Sequence, residues 1–67
     1  MRKTKLIGIM AEKGFSQRSI AKELGVSVNT INAKLNGRTA FDALEIIKLC
    51  EILGITNSDE KIEIFLQ

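Results

Sequence analysis

Between residues 3 and 53 the apolar positions recur at intervals of three and four, the spacing that gathers side chains on one face of an α-helix. Glycines punctuate this pattern at Gly14, Gly25, Gly37 and Gly54, where a helix-ending residue commonly needs a positive φ. The pattern predicts helix one over about 3–13, helix two over about 17–24, helix three over about 28–35 and helix four over about 43–53. Gly8 falls inside helix one, where glycine costs about 1 kcal/mol relative to alanine. Close packing against a neighbouring helix is one reason for a glycine there.

The predicted starts share one logic. Ser16, Ser27 and Asp42 stand at N-cap positions, where a side-chain oxygen can accept a free backbone N–H. Each follows an apolar residue that can pair with another one turn into the helix: Phe15 with Ile20, Val26 with Ile31, and Phe41 with Ile46. Glu45, three residues after Asp42, completes a capping-box pattern.

The expected core faces are Leu6 and Met10 in helix one, with Ile7 or Ile9 beside them, then Ile20, Ala21 and Leu24 in helix two, and Ile31 and Leu35 in helix three. Helix four is apolar over most of its girth, with only Glu45, Lys48 and Glu51 as a polar stripe, so it is expected at the centre of the core or shared with a partner. After residue 57 the rhythm changes. Ile62, Ile64 and Leu66 alternate with Glu63 and Phe65, which favours an extended segment. The alternative is a short fifth helix, capped at Asn57 or Ser58, that buries Ile62, Phe65 and Leu66.

Sixty-seven residues hold one small domain, 1–67, and such a chain buries only about 60% of the surface its unfolded form exposes. Histidine is absent and cysteine occurs once, which excludes imidazole-based catalysis, cysteine-rich metal sites and an internal disulfide. No apolar run approaches a membrane span and no signal peptide is evident. These features predict a cytoplasmic protein that is not an enzyme and needs no cofactor or metal. The charge is divided unevenly. Residues 1–38 carry eight basic side chains against two acidic ones, and residues 39–67 carry two basic against six acidic. Such asymmetry points to an anionic partner for the basic half, or to two solvated surfaces of opposite sign.

The informative stretch is FSQRSIAKELGVSVNTINAKLNGR, residues 15–38. Two short helices joined by Leu24-Gly25-Val26-Ser27 fit a helix-turn-helix over 16–36: glycine permits the tight turn, Val26 plugs the corner and Ser27 caps the second helix. Ala21 suits the point where the two helices approach most closely. With S-Q opening helix two, I-A-x-x-L-G-V-S through the turn and N-G-R closing helix three, the chain resembles the Cro/CI-type (XRE-like) helix-turn-helix regulators. Its length and its I-E-I-F-L ending look most like the short, phage-derived members. The resemblance implies an all-α, lambda-repressor-like domain of four to five helices, in which a short C-terminal strand would be an addition. One departure is Lys34-Leu35, where many relatives place the apolar residue first; it bears on the rotation of the end of helix three.

With Ile31 and Leu35 turned inward, helix three presents Val28, Asn29, Thr30, Asn32 and Ala33 outward. These side chains are short, so the helix can lie deep in a major groove, where asparagine can pair with adenine and small apolar groups can touch a thymine methyl. The resemblance implies base contacts at Val28, Asn29, Thr30 and Ala33, with Asn32 as a further candidate. Candidate backbone contacts are Gln17 and Arg18 at the start of helix two, Ser27 at the cap of helix three, Lys34, and Asn36, Arg38 and Thr39 in the following loop. Arg2, Lys3 and Lys5 add charge near the N-terminus and read as ordinary surface residues.

The expected partner is a double-stranded DNA operator. The alternative is a protein partner, with the same fold serving as an anti-repressor or antitoxin-like interaction module. No membrane partner is expected. A homodimer is expected through the tail 55–67, with Ile62, Ile64, Phe65 and Leu66 at its interface and the extended segment pairing with its symmetry mate. The competing arrangement folds those side chains back as the monomer's own lid.

Overall fold

The structure, a computed structural model, describes residues 1–66. Five helices follow one another: α1 (Lys3–Glu12), α2 (Gln17–Leu24), α3 (Val28–Leu35), α4 (Ala43–Leu53) and α5 (Ser58–Phe65). There is no strand among the described residues. The three sequence-predicted caps form. Ser16 Oγ accepts the Ser19 N–H at 3.1 Å while Ser19 Oγ accepts the Ser16 N–H at 2.8 Å, a reciprocal box that the sequence pattern did not advertise. Ser27 Oγ accepts the Thr30 N–H at 3.1 Å. Asp42 and Glu45 exchange bonds of 2.8 and 2.9 Å, the capping box their spacing predicted.

The end of α2 shows why glycine is needed in the turn. Gly25 sits at φ 72°, and the Val26 N–H then reaches back to the Ala21 carbonyl at 3.0 Å. Gly54 repeats this at the end of α4, where Ile55 bonds to Cys50 at 2.8 Å. Gly8, by contrast, is exposed, and a Cβ there would meet nothing within 4 Å, so close packing is not its reason.

The core is built from every helix: Leu6 and Met10 of α1, Ile20, Ala21 and Leu24 of α2, Ile31 and Leu35 of α3, Leu49, Cys50 and Leu53 of α4, then Ile55 and Ile64. The inward faces of α1, α2 and α3 are those the periodicity predicted. Helix α4 is less central than its composition suggested. It buries one face and leaves Leu44 76% and Ile47 54% exposed.

The tail is a helix, which corrects the extended reading. Asn57 Oδ1 accepts the Glu60 N–H at 3.1 Å, and Asp59 and Glu60 occupy the first turn, where negative charge suits the helix dipole. Within one chain a strand here would leave its backbone groups unpaired, because the described residues offer it no neighbouring strand, whereas a helix pairs them internally. Helical geometry also changes which side chains face in. Ile64 is fully buried and Phe65 half-buried, whereas Ile62 and Leu66 face solvent. The fifth-helix alternative thus had the right form and rightly turned Phe65 inward, but it also buried Ile62 and Leu66, which are exposed, and missed Ile64. Helix α5 is clasped to the N-terminus: the Arg2 N–H donates to the Ile64 carbonyl at 2.7 Å, and Arg2 and Lys5 both pair with Glu63 at 2.9 Å. Phe65 meets Phe41 edge to face at 6.4 Å between ring centres. None of the described helices is long and apolar enough to cross a membrane.

Candidate nucleic-acid interface

Helices α2 and α3 pack directly on each other, with Ala21 buried at their approach and Val26 half-buried in the corner. Ile31 and Leu35 anchor α3, so Leu35 rather than Lys34 is the inward residue at its end. This orientation sets the outward face. Val28 and Asn29 are exposed, and Thr30, Asn32 and Ala33 are half-buried. Asn29 has no side-chain partner among the described residues, which leaves both its amide donor and its acceptor open. Thr30 Oγ1 accepts a bond from the Ser27 hydroxyl at 2.9 Å, so these two side chains stiffen the start of α3.

Asn32 has a different environment. Its amide nitrogen donates to Gln17 Oε1 at 3.3 Å, and its Oδ1 accepts from Arg38 at 2.9 Å and from the Asn36 amide at 3.1 Å. One side chain thereby links the amino end of α2, the middle of α3 and the loop that follows. That loop folds back on α3: Gly37 takes φ 76° just after the helix, the Arg38 N–H then donates to the Ala33 carbonyl at 2.9 Å, and the Thr39 N–H reaches the same oxygen at 3.5 Å. Gln17, Asn36 and Arg38 are therefore brought together, although they span twenty-two positions of sequence. Arg18, Ser27 and Thr39 are exposed near the same elements.

Lys34 is turned elsewhere. Its ammonium pairs with Glu45 of the α4 capping box, both side chains being only 14% exposed, and lies 5.8 Å from the centre of the Phe41 ring. It ties α3 to α4 rather than reaching into solvent. Lys3, in contrast, donates to Asn36 Oδ1 and so joins the edge of the site. Sequence reasoning placed it on the general surface, and no local signal marks it, since its partner lies 33 residues away. Arg2 and Lys5 are occupied by Glu63, whose carboxyl they hold below its ordinary pKa, chiefly through the hydrogen bond from Lys5 and its charge. Burial pushes the Cys50 thiol up, consistent with an inert core residue.

Of the tail residues expected at a dimer interface, Ile62 and Leu66 are exposed, Phe65 lies against Phe41, and Ile64 belongs to the monomer's own core. No group of three metal-ligating side chains occurs among the described residues.

The sequence pattern of the helix-turn-helix family matches residues 9–60, which covers α2, α3 and α4 whole and the parts of α1 and α5 that flank them. No curated protein and no solved structure matches the chain. Family match, corner geometry and the exposed face of α3 agree: this chain belongs to the helix-turn-helix family of Cro/CI-type, XRE-like DNA-binding regulators.

Proposed function

We propose that the protein is a repressor that occupies a double-stranded DNA operator, with α3 lying in the major groove. The observation that carries this reading is the exposed amino-terminal half of α3, led by Val28 and the unengaged amide of Asn29. Asn29 reads an adenine, and Val28, Thr30 and Ala33 contribute short, close contacts to neighbouring base edges. Gln17, Arg18, Ser27, Asn36, Arg38 and Thr39 hold the phosphates on either side. Asn32 acts mainly by fixing Gln17 and Arg38, since its amide is already engaged by both. Repression follows from occupancy alone. One α3 spans only a few base pairs, so two copies on half-sites about 34 Å apart supply the information a genomic site needs.

Selection of bound sites from random duplex DNA, followed by titration across salt concentrations, tests this. Affinity should fall with a log–log slope of about −0.9 per phosphate contacted. Asn29→Ala should cost about 1–3 kcal/mol on the selected site and relax the preference at one base pair. Arg38→Ala should weaken every sequence alike and reduce the salt slope by about one. Weak, sequence-blind retention with no selected site would refute the operator reading and favour a protein-binding role for the same fold.

A further inference from the structure

The loop after α3, the first turns of α4 and the end of α5 leave a cleft of about 300 Å³ between them, at the small end of the range for ligand pockets. Its apolar lining is Phe41, Ile46 and Phe65, each only half-buried, so part of every one of these side chains is left uncovered. The two rings stand at 87° to each other. Its charged lining is Lys34 and Arg38, and no carboxylate lines it among the described residues. Glu45 takes one bond from the Lys34 ammonium, and Asn32 takes one from the Arg38 guanidinium. Both cations keep further N–H donors. Uncovered aromatic surface beside two cations is complementary to a molecule that is apolar at one end and anionic at the other.

We propose that this cleft binds a small aromatic carboxylate and that binding loosens the protein's hold on DNA. The ligand's ring packs against Phe41 and Phe65, where edge and face contacts are both on offer. Its carboxylate accepts paired N–H bonds from Arg38, the geometry a guanidinium favours, and the Lys34 charge adds to the attraction. Arg38 is also one of the groups assigned to a DNA phosphate, and Asn32 joins it to Gln17. A carboxylate that occupies Arg38 withdraws it from that phosphate. This consequence rests on the operator reading; the binding itself does not.

The test is a titration of the full chain, without DNA, with phenylacetate up to about 10 mM, followed by backbone amide NMR. A ligand of about ten non-hydrogen atoms should bind with a Kd of about 0.1–1 mM. Saturable shifts should cluster over residues 37–41 and near Ile46 and Phe65. Acetate lacks the ring and 2-phenylethanol lacks the charge, so both should bind at least about tenfold more weakly. Arg38→Ala and Ala40→Phe should each weaken phenylacetate at least about tenfold, the first by removing the anion's partner and the second by placing a ring in the cleft. Ala40 is exposed, so its variant should keep the native circular dichroism. Lys22→Ala, which removes an exposed cation that does not line the cleft, should bind as the native chain does. On the selected DNA site, saturating phenylacetate should weaken binding at least about threefold relative to acetate at equal ionic strength, and Ala40→Phe should abolish that difference. Absence of saturable shifts, equal shifts with acetate, or native phenylacetate affinity in both Arg38→Ala and Ala40→Phe overturns the site. Saturable binding with unchanged DNA affinity overturns the coupling through Arg38.

Discussion

Helix α5 is part of the folded unit, and deleting its contribution provides a severe test. Ile64 is 0% exposed, and replacing such an aliphatic side chain with alanine costs about 2–5 kcal/mol. A domain of this length carries only about 3–10 kcal/mol of total stability. Ile64→Ala should therefore remove a large fraction of it and leave the protein measurably unfolded on mild warming. Ile62, two residues earlier and 48% exposed, is the internal control, and Ile62→Ala should change stability by no more than about 0.5 kcal/mol. Truncation after Asn57 goes further. It removes Ile64 and Phe65 from the apolar packing, the Arg2-to-Ile64 backbone bond and both ion pairs to Glu63. The truncated chain should be unfolded at room temperature, and its DNA binding should vanish for that reason. Urea titration followed by circular dichroism gives the two point variants' free energies, with an unchanged m-value confirming that the same transition is observed. The amide NMR spectrum of the truncated chain reports folding directly. Equal losses in Ile64→Ala and Ile62→Ala would refute the assignment of Ile64 to the core. A truncated chain with a cooperative, near-native transition would refute the role of α5 as a lid.

Gly8→Ala should stabilise α1 by about 1 kcal/mol, because the position is helical, exposed and open, and a thermal scan should show a rise of about 4–8 °C. Asn32→Ala frees Gln17 and Arg38 together, so DNA titration should show similar weakening on all sequences; a loss of preference at a single base pair would assign Asn32 to base reading instead. Glu63 has a depressed folded-state pKa, so its ion pairs stabilise the protein above the unfolded-state pKa, and that stabilisation disappears as pH falls through the folded value. Glu63→Gln should accordingly lower the melting temperature at neutral pH and make little difference in strong acid, and a gap that persists in acid would refute the linkage.

The helix-turn-helix was legible because its signals are local. An N-cap and its recipient N–H lie three residues apart, a glycine ending requires one positive φ, and the inward faces of α2 and α3 repeat every three or four positions. Such features are complete within one or two turns of chain. The same locality made the tail ambiguous, since Ile62, Ile64 and Leu66 satisfy an alternating pattern while Asn57 satisfies a helix cap. What decided between them is distant in sequence: the Arg2 backbone bond to Ile64, the clasp on Glu63 and the ring of Phe41 under Phe65.

Charge patterning likewise identified the basic half without assigning its members. Lys34 and Arg38 look equivalent along the chain, yet the tertiary structure commits Lys34 to Glu45 and leaves Arg38 beside Gln17 and Asn32. Composition made α4 look central, and only its packing showed that Leu44 and Ile47 face outward. The sequence by itself determined where four of the helices begin and end, which faces of α2 and α3 turn inward and that their corner is a helix-turn-helix, because those outcomes depend on neighbours a few residues away. The form of the tail, the partner of each cation and the unpartnered face of α4 were decided by tertiary structure, because each depends on which distant surface the folded chain brings alongside.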